Sequence, residues 1–377
     1  MNKQRLLDTF MNLLKIESPS GREGKVSKYV AGIMRECGCS VRKDKAGQRF
    51  GGICGNTVAR LRGGDTSLPG LIFVSHMDTV VPNPGLRIVT DGKTIKTDGK
   101  SILGADDKAG VAVMCELARE LSKNRFAHGT VDFLFSVAEE RGLLGLKNLD
   151  FSILKGKIAF VLDSHTPVGS IVTSAPSAVG ITATVRGKAA HAGVEPEKGI
   201  SAIAIASAAI ASMRLGKIDE ETTANIGIIS GGSATNIVPE KTIVKGEARS
   251  FSEKKLERQV AHMKKQFTQH ARKRGGKVKV ETEHEFTTFT IAREDPVVQL
   301  ALAAARSIGR TTAIRKSGGG SDANVLNEKG IRSAILGMGY KNPHTEKESI
   351  LVINLFAAAK WAIEIVRQSP GFLSETA

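Results

Sequence analysis

The chain has 377 residues, enough for two domains with cores of their own, and its 41% hydrophobic content excludes the disordered class. A net charge of +16 (54 Lys and Arg against 38 Asp and Glu) admits a nucleic acid or an anionic surface as partner, and equally a plain soluble basic protein. Aromatic residues are only 5%, so the cores must be mostly aliphatic.

At the amino end Leu6, Leu7, Phe10, Leu13 and Leu14 recur around Asp8 and Asn12, which predicts an amphipathic helix rather than a signal peptide. Apolar runs at 71–74, 131–137 and 158–162 predict buried strands. Between the first two, Val111, Met114, Leu117, Ala118 and Leu121 predict a helix over 107–123. Strands separated by helices imply an α/β sheet covered on both faces.

The pattern changes near Pro176. An alternating strand at 181–185 is followed by an Ala- and Ile-rich helix (200–213), strands at 225–230 and 241–249, a basic helix, and a strand at 277–283. That β-α-β-β-α-β order predicts an α+β domain of the ferredoxin-like type. Helical spacing resumes at Val297, Val298, Leu300, Ala301 and Ala304, then a strand at 333–336 and a last helix at 349–367. The expected organisation is a mixed-sheet α/β domain made of 1–176 and 289–377, with an α+β domain, 177–288, inserted in it. No run of 18 apolar residues exists, so no membrane span is expected.

Much of the excess charge lies in 254–279, where Leu256, Val260, Met263, Phe267 and Ala271 mark the inner face of a helix with a basic outer face. No aromatic residues interleave with these cations and no nucleic-acid motif accompanies them, so a solvated face is expected and no nucleic-acid partner. Cys37, Cys39, Cys54 and Cys115 form no C-x-x-C pair and read as reduced thiols of a cytoplasmic protein.

Residues of metal-ligand type stand at the carboxyl end of each predicted strand, where open α/β sheets place their sites. His76 and Asp78 are two apart, so in an extended chain both side chains point one way. Asp106-Asp107 follow Gly104 and precede a helix, as bridging ligands would; a helix N-cap is the alternative. Glu139 and Glu140, placed on a strand, would diverge to opposite sides; a solvated charge pair is the alternative. Asp163 ends an apolar strand, His165 beside it suits a loop role, and His344 lies in the Asn342-Pro343-His344 loop. Two histidines and three carboxylates, one of them shared, suit Zn²⁺, with Mn²⁺ or Co²⁺ as substitutes. The Gly-rich run 317–322 lacks the Lys-Ser/Thr ending of a phosphate loop and reads as a substrate-facing loop.

In order along the chain, SHMDTV, LGADDKAG, AEERGLLG, VLDS, GKAAHAG, GGSATNIVPE, GEARSF, GGGSDAN and NPHTE resemble the M20 metallopeptidase family. That family includes peptidase T, glutamate carboxypeptidases and acyl-amino-acid deacylases. The DDKAG run and HAGVEPEKGISAI are most similar to its peptidase T-like members. The resemblance implies two Zn²⁺ per chain: His76, Asp106 and Asp163 on one, Asp106, Glu140 and His344 on the other. It implies Asp78 behind His76, Glu139 as general base, and a cis peptide bond between Asp106 and Asp107. It further implies that the inserted domain is a lid through which the chain forms a homodimer. There His191 would stabilise the oxyanion, and Asn236 and Arg249 would bind polar groups or the carboxylate of a short peptide. An aminopeptidase or tripeptidase is therefore expected, with an N-acyl amino acid deacylase or glutamate carboxypeptidase as the alternative.

Overall fold

The computed structural model describes residues 1–65, 67–123 and 126–373. The chain divides into two compact units: Met1–Ser174, Thr290–Ser317 and Ser321 onward form the first, Ala175–Phe289 with Gly318–Gly320 the second. The first is a mixed α/β unit and the second is α+β.

Three strands make the centre of the first unit. Leu71–His76 lies between Val131–Ser136 and Ile158–Ser164, parallel to both, and Arg332–Gly337 continues the parallel array beyond Ile158–Ser164. The residues of Leu71–His76 and Val131–Ser136 are all buried, which is why these strands are mostly apolar rather than alternating; the buried Asp132 is met by Arg60 at 2.6 Å. The register puts Phe73 opposite both Phe133 and Phe160; its ring stacks on that of Phe133 and meets that of Phe160 tilted, at 5.6 Å between centroids. Parallel pairing also brings the carboxyl ends of the four strands to one edge. The flank is antiparallel: Thr57–Leu61 pairs with Val131–Ser136, and Ser40–Lys43 with Thr57–Leu61.

The helix Ala105–Leu121 is buried on nearly every side, between the sheet and the helices Lys3–Leu14 and Val352–Leu373. Its Glu116 is buried too, and Arg5 meets it with two bonds of 2.9 Å, as a buried charge requires. A separate small sheet joins Ile88–Thr90, Thr94–Thr97, Ser349–Leu351 and Tyr340–Lys341, and its last two strands frame the loop that carries His344.

In the second unit the sheet runs Gly216–Lys217, Thr222–Gly231, Lys241–Ser250, Ser177–Arg186, Lys277–Phe286, antiparallel throughout. The helices Ala202–Ala211 and Glu253–Lys273 pack on it through Ala202, Ile205 and Ala206, and through Leu256, Met263, Phe267 and Ala271. The inner stripe of the basic helix is thus the one its spacing predicts. No helix among the described residues is long and apolar enough to cross a membrane.

Candidate metal centre

His76 ends its strand and is buried. Its Nδ1 lies 3.0 Å from the carbonyl oxygen of Asp78, which fixes the ring and turns Nε2 toward the sheet edge. There Nε2 stands 3.2 Å from Asp106 Oδ1 and 3.9 Å from Asp163 Oδ1. On the other side of Asp106, His344 Nε2 is 3.2 Å from Oδ2 and 2.8 Å from Glu140 Oε1. One carboxylate therefore lies between two imidazoles, with one oxygen turned to each.

Local backbone geometry makes this possible. Gly104 adopts φ +77°, and a Cβ there would stand 3.0 Å from Thr79 Cγ2. Asp106 and Asp107 begin the helical segment with non-helical angles, and the bond between them is cis. Glu348 accepts from the N–H groups of Gly104 (2.7 Å) and Asp106 (2.9 Å), tying the chain just after His344 to the Asp106 segment.

Glu139 and Glu140 do not lie on a strand, contrary to the sequence expectation. Val131–Ser136 has ended, and Ala138 at φ +50° turns the chain. Asp78 then accepts from the N–H of Glu139 (3.1 Å) and of Glu140 (3.2 Å), and from Ser20 Oγ (2.6 Å). Nor does Asp78 extend the strand alongside His76: it sits beyond the strand end, its carboxylate 3.5 Å from the ring.

The site holds far more carboxyl groups than protein cations. Burial disfavours a charged Asp106, but the bonds from His344 and His76 outweigh it and hold its pKa well below the usual carboxylate range. In turn, the bonds to Asp106 and Glu140 push His344 up to about 10. Burial, reinforced by the charge of Asp106, drives Asp163 well up. Burial likewise drives Glu139 up, with Asp163 and Asp322 adding to it. Buried acids so crowded call for cations, and Asp107 Oδ1 and Asp322 Oδ1 are buried with no hydrogen-bond partner. Ligand atoms of His76, Asp106 and Glu140, and of His76, Asp107 and Asp163, gather within 4.8 Å of one another. Imidazole and carboxylate donors in this arrangement fit divalent cations.

Several contributors escaped the sequence reading. Asp107 lies within ligand range but was grouped only with its neighbour. Asp322, from the GGGSDAN run, is buried and accepts from Ser136 Oγ; burial lifts its pKa to about 6. Tyr340 donates to Asp163 Oδ1 at 3.1 Å, and no spacing marked it. The Gly-rich run is partly a helix start: Ser321 caps Asp322–Glu328 through a capping box.

The second unit carries His191, Asn236 and Arg249. His191 and Asn236 are both exposed, and their segments are joined by the Ala192 N–H to Asn236 carbonyl bond of 2.9 Å. Arg249 gives Nε and Nη2 to Glu247, each at 3.0 Å, and Nη1 to the Gly318 carbonyl at 3.2 Å. Its guanidinium thus already holds one carboxylate, a pairing the sequence reading did not foresee.

Residues 72–368 match Peptidase family M20/M25/M40, and the chain belongs to that family. It is a metal-dependent hydrolase of the M20 type. The chain is similar to the crystal structure of aminopeptidase PepT from Bacillus cereus ATCC 10987, at 43% identity and TM-score 0.87, covering 98% of this chain and 99% of that one. It is similar also to a tripeptidase from Staphylococcus aureus subsp. aureus Mu50, at 38% identity and TM-score 0.93 with the same coverage. The protein YqjE of Bacillus subtilis strain 168 is 42% identical over 369 residues, 98% of this chain and 99% of the relative.

Proposed function

We propose that this protein is a dizinc exopeptidase that hydrolyses short peptides in the manner of an aminopeptidase or tripeptidase. The carrying observation is Asp106, whose two oxygens face His76 and His344 from opposite sides. The similarity to an aminopeptidase and a tripeptidase over nearly whole chains supports the substrate class.

In this reading His76, Asp106 and Asp163 hold one Zn²⁺, and Asp106, Glu140 and His344 the other; Co²⁺ or Mn²⁺ would substitute. Two such ions would supply Lewis acidity and lower the pKa of a bound water. Glu139 takes a proton on its carboxylate from the attacking water and returns it to the leaving amine. Its position beside the cluster and its 8% exposure suit a base kept from bulk water. Asp78 keeps His76 Nδ1 occupied so that Nε2 stays free as a ligand. His191 donates to the developing oxyanion, and Asn236 and Arg249 bind polar groups of the peptide. The segment 177–288 serves as lid and as the surface of a homodimer. Four cysteines without a disulfide suit a cytoplasmic protein.

The test is chelation followed by reconstitution, assayed on di- and tripeptides in free-amine and N-blocked forms. The metal-free protein should be inactive and regain activity with Zn²⁺, Co²⁺ or Mn²⁺, on the free-amine peptides. Cleavage of blocked substrates alone would replace this reading with a deacylase.

A further inference from the structure

The turn that carries Glu139 and Glu140 is held by two buried carboxylates, and only one of them, Asp78, belongs to the constellation described above. The other is Glu23. Its Oε1 accepts from the N–H of Ala138 at 2.9 Å and from that of Gly21 at 2.7 Å. Asp78 accepts the next two N–H groups, Glu139 at 3.1 Å and Glu140 at 3.2 Å. Three successive backbone amides are therefore fixed by two side chains, both 0% exposed. The carbonyls of the same turn are occupied as well: Leu144 N–H reaches Ala138 at 3.1 Å, and Leu143 N–H reaches Glu139 at 2.8 Å.

Among the described residues no cation pairs with Glu23: its partners are these backbone amides and the Cys54 thiol, 4.0 Å from Oε2. Burial, with the charge of Asp78 adding to it, pushes its pKa up. A buried carboxyl of this kind costs stability. What it visibly supports is Ala138 at φ +50°, the bend that aims the following two glutamates. The same segment also reaches Asp78 directly. Ser20 Oγ donates to Asp78 Oδ2 at 2.6 Å, and Ser18 Oγ to the Met77 carbonyl at 2.9 Å. Residues 18–23 thus brace both the strand end behind His76 and the turn that presents the base.

We infer that Glu23 is a positioning residue for Glu139, acting through the Ala138 amide rather than on substrate or metal. The inference rests on reading Glu139 as the general base. Misplacing a catalytic group by about 1 Å costs roughly 10²-fold in rate.

The experiment compares Glu23→Ala, Glu23→Gln and Glu23→Asp in the zinc-reconstituted full chain, measuring kcat, KM, bound metal and Tm. Glu23→Ala should lose roughly 10²-fold in kcat, with KM within about threefold and metal content equal to the parent's. Glu23→Gln should keep kcat within about fivefold, because its amide oxygen accepts the same two N–H groups. Glu23→Asp, one methylene short of Ala138, should behave like the alanine variant. Parental kcat in the Ala and Asp variants with only a lowered Tm would reduce Glu23 to a structural role and overturn the inference. So would a glutamine variant as slow as alanine, since charge rather than reach would then matter. If Glu23→Ala does not fold, the order of Gln over Asp decides alone. Glu139→Gln is run alongside. Full turnover there removes the base reading itself, whereas loss there with parental Glu23 variants removes only the brace.

Discussion

The two units present their chemistry in opposite ways. In the mixed-sheet unit His76, Asp106, Glu140 and Asp163 are buried or nearly so, and each lies within 4 Å of another of them or of His344, the one exposed side chain of the set. In the inserted unit His191 and Asn236 stand in solvent, and Arg249 is paired to a glutamate of its own strand. A buried cluster has its geometry set before substrate arrives, by strand ends and by backbone amides. Exposed groups depend on substrate for their order. In the proposed reading, metal binding and proton transfer therefore belong to the first unit, and the second supplies groups that meet the substrate, His191 at the oxyanion and Asn236 and Arg249 at its polar ends.

The largest test of that division is Glu139→Gln. The amide cannot accept a proton at neutral pH, while the metal ligands are untouched. We expect kcat to fall by roughly 10³-fold, within the range for loss of a general base, with bound metal unchanged by elemental analysis. Loss of metal together with activity would mean that Glu139 is a ligand, and the roles within the buried cluster would have to be redrawn.

Arg249→Ala probes the other side. If the inserted unit tunes binding, KM for tripeptides with a free carboxylate should rise about tenfold while kcat changes little. C-terminally amidated tripeptides should show no such rise. A fall in kcat with unchanged KM would break the comparison, because Arg249 would then act in the transition state.

What could be read in advance follows the same division. The buried central strands were legible because strands covered on both faces must be apolar along their whole length. The edge strand Ser40–Lys43 was not, since it is exposed, carries two cations and shows no apolar run. In the site, residues at strand ends could be found by position: His76, Asp163 and the glutamates after Val131–Ser136. Residues that act by holding backbone left no local mark. Glu348 reaches Asp106 across 242 positions and Glu23 reaches Ala138 across 115, so no motif window contains both partners. The placement of Glu139 and Glu140 off the strand was not legible because the strand ends at Ser136 and the bend that follows depends on Ala138 at positive φ, a conformation uncommon for any residue but glycine.

The smallest effect concerns stability, and it tests whether the units differ in their charge pairs as they do in their chemistry. In the first unit Glu120 is 7% exposed and meets Arg5, Lys123 and the amino group of Met1. Burial works against its charge, yet Lys123 and that amino group outweigh it and hold its pKa at about 2, below the ordinary 4.5. A depressed carboxyl pKa stabilises the fold above the unfolded value, and that contribution is lost as pH falls from 4.5 through about 2. In the second unit the Lys217–Glu220 pair is 63% and 89% exposed. Glu120→Gln should therefore cost about 1 kcal/mol at pH 7, a value discounted because Arg5 and Lys123 remain partly in water. The gap in Tm from the parent should close as pH drops from 4.5 toward 2. Glu220→Gln should leave Tm unchanged at either pH, since solvent already screens that pair. Equal losses in the two variants would show that burial does not distinguish the charge pairs of the two units.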